Sequence, residues 1–211
     1  MKKPPYYIVY EDSDIIVVYK EYNVFTIHTD DVKTKNYNLY HYLSLYLRKK
    51  NEKIFIVHRL DYETSGLIVF AKNLEIKKKL QELFTERKVI RNYEAVIKEK
   101  VELGYSQRII NYVNDEKQVK EVDSENGKEC ITNIVAVNYI NIGTALKINI
   151  ETGRRNQIRI ALKSRGLTLL GDKRYANDIN KRMYLNAYEL ILPLDELKET
   201  HFCVDPLWIK L

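Results

Sequence analysis

Cysteine is scarce in this sequence: Cys130 and Cys203 are the two among 211 residues, and neither lies at metal-ligand spacing from a histidine. A disulfide framework is therefore excluded as the source of stability, and a reducing cytoplasm is the expected compartment. No apolar run approaches the ~20 residues that a membrane-spanning helix needs. The opening Met1-Lys-Lys-Pro-Pro-Tyr-Tyr lacks an apolar segment and a small-residue cleavage site, so no secretory leader is expected. Glycine numbers seven and nowhere forms a phosphate-cradling loop. Internal repeats and flexible linkers are missing as well. No metal cluster, paired-carboxylate or Ser-His-Asp arrangement stands out.

What is present suffices for a core. A chain of 211 residues, 45% of them hydrophobic and 30% charged, builds one good-sized domain or a core of two joined halves. A net charge of +6 favours an anionic partner, although a basic balance also arises from solvated lysines alone. Tyrosine is abundant, at 17 against a single tryptophan. Tyrosines interleaved with lysines suit stacking on exposed bases.

The most informative stretch is His58-Arg-Leu-Asp61-Tyr-Glu-Thr-Ser-Gly66-Leu-Ile-Val-Phe-Ala-Lys72. Its second half is short, branched and apolar, which predicts a buried strand, and Ile54 to Val57 before it reads the same way. Arg59 and Asp61 thus fall in a tight connection between buried segments. A carboxylate in such a place needs a cation close by.

Elsewhere, residues 7–20 predict two strands around a turn at 11–14. Residues 36–50 predict an amphipathic helix with Leu39, Leu43 and Leu47 on one stripe. Asn73 is placed to cap a helix running to about Arg87, with Leu74, Leu80, Leu83 and Phe84 apolar. A strand follows over Val89–Ile97, with Tyr93, Ala95 and Ile97 on one face. The weakly patterned segment 104–128 reads as a hairpin and loop, and two further strands are expected at about 130–140 and 144–151. The second informative stretch, Glu151-Thr-Gly-Arg154-Arg-Asn-Gln157-Ile-Arg159-Ile-Ala-Leu-Lys163-Ser-Arg165-Gly166, predicts a helix from Thr152 or Gly153 to Gly166. Arg155, Arg159 and Lys163 line one face with no acid between Arg154 and Arg165, so a compensating anion is implied, phosphate being the simplest.

These stretches carry a resemblance. His58-Arg-Leu-Asp61, Thr64-Ser-Gly-Leu67 and Ala71-Lys72 resemble the central motif of the RluA-type family of pseudouridine synthases. Tyr93-Glu-Ala-Val resembles its tyrosine strand, Gly127-Lys-Glu-Cys-Ile-Thr132 a strand entry, and Thr152-Gly-Arg154 with Gln157-Ile-Arg159 its arginine motif. Leu170-Gly-Asp-x-x-Tyr175 and Leu185-Asn-Ala-Tyr188 also match, and the resemblance covers roughly residues 6–211. The chain departs where the family usually carries histidine, at Asn156 and Asn186, and where Pro and Gly are usual, at Glu21 and Asn23.

The resemblance implies an α+β pseudouridine synthase fold, a long mixed and largely antiparallel sheet with flanking helices and a central cleft. It implies one catalytic domain over residues 1–211 without an N-terminal RNA-binding module. The expected reaction isomerises uridines in ribosomal or transfer RNA to pseudouridine without a cofactor or metal. Asp61 is then the nucleophile or base, Tyr93 stacks on the flipped uracil, and Arg159 is the expected ion-pair partner of Asp61, with Arg154 in reserve. Arg59, Arg154, Arg155 and Lys163 are expected to bind RNA, Glu63 to face solvent, and the protein to be a cytoplasmic monomer. The competing expectation is an inactive RNA-binding protein on the same scaffold, acting in ribosome assembly.

Overall fold

A computed structural model describes residues 4–29, 34–114, 116, 118–180 and 182–205. The chain divides into two compact units, residues 1–89 with 187–211, and residues 90–186.

In the first unit the strongest apolar runs form the central strands. β1 (Tyr6–Glu11) pairs antiparallel with β2 (Ile15–Lys20), and β2 pairs with β4 (Ser65–Ala71), matching Lys20 with Gly66 and Ile15 with Ala71. Every residue of β2 and β4 is buried, as expected of strands covered on both faces. β3 (Phe55–Ile56) is a two-residue partner of β4 and only half buried, so the expected strand over 54–57 is shorter and more exposed than its composition suggests. β10 (Leu185–Ile191) lies beside β4 in the sheet, and β11 (His201–Cys203) pairs with β10. The segment Cys203-Val-Asp-Pro-Leu207, which reads as a closing strand in the sequence, lies outside the described residues from 206 on.

Two helices serve this unit. α1 (Leu39–Arg48) starts at Asn38, whose side chain accepts the His41 amide at 2.9 Å, and it buries Leu39, Leu43 and Leu47. The cap contributes about 1 kcal/mol and each buried leucine about 2 kcal/mol. α2 (Leu74–Thr85) is capped in the same way by Asn73, which accepts the Ile76 amide at 2.9 Å. Its buried residues are Ile76 and Leu80, packed on Val69 and Ala71 of β4, with Leu83 and Phe84 at the margin. Leu74, expected on the apolar face, is 58% exposed because the first residue after the cap points away from the sheet.

The second unit is an antiparallel sheet in the order β5 (Ile90–Ile97), β9 (Gly143–Ile150), β8 (Lys128–Ile140), β6 (Ser106–Val113) and β7 (Glu121–Val122). β6 and β7 occupy the segment expected to hold a hairpin and loop. β5 is buried on both faces rather than one, since Glu94 and Val96 are as enclosed as Ala95. α3 (Gln157–Ser164) packs on β6 and β8, with Ile160 joining Val113, Val119 and Cys130 in a local core. Among the described residues no helix is long and apolar enough to cross a membrane.

Candidate active site

Asp61 lies in the first unit, in the turn that leads from His58 into β4. The residues on either side of it are held by the segment 20–26. The Leu60 carbonyl accepts the Thr26 hydroxyl at 2.8 Å, and the Leu60 amide donates to the same Oγ1 at 3.2 Å. The Tyr62 carbonyl accepts the Val24 amide at 3.1 Å and the Lys20 ammonium at 3.3 Å. The Asp61 carbonyl closes the turn by accepting the Thr64 amide at 3.2 Å. Phe25 and Tyr62 pack ring to ring, with centroids 4.4 Å apart. Asp61 is thus half buried on a backbone fixed at both flanks.

Gly66, the second residue of β4 after this turn, lets the strand approach Ala187 closely. Its φ is +122°, and a Cβ built there would stand 2.3 Å from the Ala187 carbonyl oxygen. His58 is structural as well: its Nε2 accepts the Val69 amide at 3.1 Å and therefore carries no proton, while the ring stacks on Phe84 at 4.7 Å.

The cation required near Asp61 includes one that the sequence reading did not single out. Lys20, 0% exposed, donates to the carbonyls of Glu21 at 3.0 Å, Val24 at 2.9 Å and Tyr62 at 3.3 Å. Burial pushes its ammonium down to about 7, opposed by the charges of Asp61 and then Glu21. Arg59 is exposed, whereas Glu63, expected in solvent, is half buried.

Tyr93, Arg154, Arg155, Arg159 and Lys163 all belong to the second unit. Tyr93 is buried on β5, opposite Ile148. Arg91 shares its strand face, is buried and lowered by desolvation, and feels the Tyr93 phenol. Its guanidinium donates to the Glu151 carbonyl at 3.3 Å, in space left by Gly153, where a Cβ would lie 2.6 Å from Nη1. Nothing in the sequence pattern marked Arg91 as part of this neighbourhood.

The arginine stretch begins its helix later than expected, at Gln157. Asn156 sits in the left-handed region at φ 57°, where asparagine is among the residues best tolerated. Gln157 then acts as a bolt to β8. Its Oε1 accepts the Arg154 amide at 3.0 Å and the Thr152 hydroxyl at 2.8 Å, and its Nε2 donates to the Ile131 carbonyl at 2.9 Å.

The expected basic face is corrected by the position of Arg159. Arg159 is 3% exposed, and its compensating anion is Asp172 rather than phosphate. Nε and Nη2 donate to the two Asp172 oxygens at 2.8 and 2.7 Å, and Nη1 donates to Asn156 Oδ1 at 3.2 Å. The Asp172 carboxylate also accepts the amides of Arg174 and Tyr175, and the Tyr175 ring lies 5.0 Å below the guanidinium. Asn156 Nδ2 donates to the Tyr175 hydroxyl at 3.1 Å, which gives the first of the two histidine-to-asparagine departures a defined hydrogen-bonding role. Arg154, Arg155 and Lys163 are exposed, and the first two donate to the carbonyls of Glu129 and Glu116.

A family model described as RNA pseudouridylate synthase matches residues 14–164. "Ribosomal large subunit pseudouridine synthase D" of Buchnera aphidicola subsp. Schizaphis graminum is 33% identical over 174 residues, 79% of this chain and 53% of that protein. An "uncharacterized RNA pseudouridine synthase" of Aquifex aeolicus is 36% identical over 180 residues, 81% of this chain and 56% of that protein. The chain spans about half the length of such relatives. The solved "Human RNA Pseudouridylate Synthase Domain Containing 4" shares the fold, with a TM-score of 0.75 at 22% identity over 96% of this chain and 90% of that one. Motif, family model and relatives together show that this chain belongs to the RNA pseudouridylate synthases, in their RluA-type branch.

Proposed function

We propose that the protein isomerises one or more uridines of RNA to pseudouridine, with ribosomal RNA as the first candidate substrate and transfer RNA as the second. The names of the curated relatives support ribosomal RNA. The observation that carries the reading is Asp61, a half-buried carboxylate on a turn pinned at Leu60 and Tyr62, inside the segment matched by the family model. The reaction breaks the bond from the sugar to the base nitrogen and forms one to carbon 5. Carbon 5 loses a proton and the freed nitrogen gains one, so atoms and electrons balance without an oxidant or reductant.

In this reading Asp61 is the nucleophile or base at the sugar. The target base leaves its stack to reach it, and Tyr93 stacks on the uracil. Arg159, held in a bidentate pair by Asp172, is the third candidate catalytic residue of this reading. Arg59 fills the space left by the base, and Arg154, Arg155 and Lys163 hold the phosphate backbone, which sets register without reading sequence.

The test compares pseudouridine positions in total RNA of a strain lacking the protein, complemented with wild type or with Asp61→Asn. The expected result is a site lost on deletion, restored by wild type and not by Asp61→Asn. If no site changes while the purified protein binds RNA, the inactive RNA-binding alternative replaces this reading.

A further inference from the structure

We propose that the Phe25–Tyr62 ring pair is a stacking subsite for a second nucleobase, that of a nucleotide flanking the uridine on which Asp61 acts. The inference rests on the function proposed above and deepens it. Of residues 58–64, Arg59 and Tyr62 are the two with exposed side chains, and they flank Asp61 in the chain. An arginine keeps its charge solvated there, whereas a tyrosine that is 39% exposed leaves apolar ring area in water that burial would recover. A single such residue is ordinary on a surface. Tyr62 differs because its ring is held.

The Phe25 ring lies against it, with centroids 4.4 Å apart and planes 33° from parallel. Both residues stand on fixed backbone. The Tyr62 carbonyl accepts the Val24 amide at 3.1 Å, and the Phe25 carbonyl accepts the Leu39 amide at 2.8 Å from the start of α1. Phe25 is half buried and Tyr62 is the exposed member, so the pair offers an aromatic surface to solvent with a second ring behind it. A tyrosine fixed in this way loses little rotamer freedom when a planar group settles on it. The planar group that the reaction brings is a base. Extruding a uridine parts it from its neighbours, and a flanking base that has lost its stacking partner regains one on an aromatic side chain. Since every base presents a π face, this subsite holds a neighbour without reading its identity.

The experiment uses the full chain with Tyr62→Phe and Tyr62→Leu, and deproteinised ribosomal RNA from a strain lacking the protein. Pseudouridine is measured by nucleoside chromatography over a range of RNA concentrations. Tyr62→Leu keeps apolar bulk but no π face, and is expected to raise KM at least three-fold, with kcat changing by less. Tyr62→Phe keeps the ring and is expected to recover most of that loss. A folded Tyr62→Leu with a smaller rise in KM overturns the subsite, as does a Tyr62→Phe equally impaired. A loss confined to kcat overturns it too, because that is what a displaced Asp61 turn would produce.

A second arm needs no activity. The same RNA is irradiated with ultraviolet light in the presence of the protein, and tryptic peptides carrying a crosslinked nucleotide are sequenced by mass spectrometry. The peptide Leu60–Lys72 is expected to carry a nucleotide on Tyr62 in wild type and to lose it in Tyr62→Leu. A wild-type Tyr62 that carries none overturns the proposal. A wild type that crosslinks through Tyr62 yet modifies no uridine rejects the proposed reaction while retaining the base-binding pair. If Tyr62→Leu fails to fold, the wild-type crosslink and Tyr62→Phe decide the matter.

Discussion

Arg159 and Asp172 form a buried bidentate pair, with Nε and Nη2 2.8 and 2.7 Å from the two carboxylate oxygens. Removing one partner of such a pair strands a charge in the interior, at about 3–5 kcal/mol. Asp172→Asn is expected to lower the urea unfolding free energy by that amount. The double variant Arg159→Met with Asp172→Leu is expected to regain most of it. A loss below about 1 kcal/mol in Asp172→Asn would show that the pair carries no such energy.

Gly66→Ala is expected to be strongly destabilising. The added methyl meets the Ala187 carbonyl at 2.3 Å, at a φ of +122° that L-residues rarely adopt. Strain of this kind costs about 2–3 kcal/mol, or a fall in Tm of roughly 5–10 °C in a chain of this size. An alanine variant melting within about 2 °C of wild type would contradict the close approach.

Stability should depend on pH through Lys20. Its ammonium is pushed from 10.5 down to about 7 on folding, so between those values the unfolded chain holds a proton that the folded protein lacks. Stability gained from other groups aside, the penalty is full below about pH 7 and fades as pH rises toward 10. The unfolding free energy of wild type minus that of Lys20→Met should therefore increase from pH 7 to pH 10. A flat difference would mean that Lys20 keeps an ordinary lysine titration.

The two thiols should react at very different rates. Burial pushes Cys130 up to about 12, while Cys203 is exposed. Alkylation of the native protein at pH 8 is expected to label Cys203 first and Cys130 at least ~100-fold more slowly, since the thiolate is the reactive form. Equal labelling seen by peptide mass spectrometry would refute the burial of Cys130.

RNA affinity should fall with salt, and the exposed cations should set the slope. Each of Arg154→Ala, Arg155→Ala and Lys163→Ala is expected to reduce the log–log salt slope by about 0.7–0.9 if its residue meets a phosphate. Filter-binding titrations over a range of salt concentrations measure this directly. An unchanged slope in all three would remove that face from the interface.

The elements most legible from sequence were those with a single dominant signal. Two uninterrupted apolar runs became β2 and β4, and the leucine stripe and asparagine caps located α1 and α2. The site was less legible where its partners come from distant segments. Asp172 lies 13 residues beyond Arg159, so the run from Arg154 to Arg165 looked like an uncompensated basic face. Lys20 looked like an ordinary strand end because nothing local announces that three carbonyls surround it. The late start of α3 follows from Asn156 taking a left-handed conformation, a choice that helical periodicity does not register.

The contact of Gly66 with Ala187 also bears on the order in which the chain is built. The first unit is discontinuous, since its sheet places β10 beside β4 across an intervening stretch of 97 residues, 90–186. Chains emerge from the ribosome N-terminus first, so β4 waits with an open edge while the whole second unit is synthesised. Unpaired edges invite association with other chains. The nascent protein thus passes through an interval in which its motif-bearing strand is exposed to chaperones, and that interval ends when residues 187–191 arrive to close it.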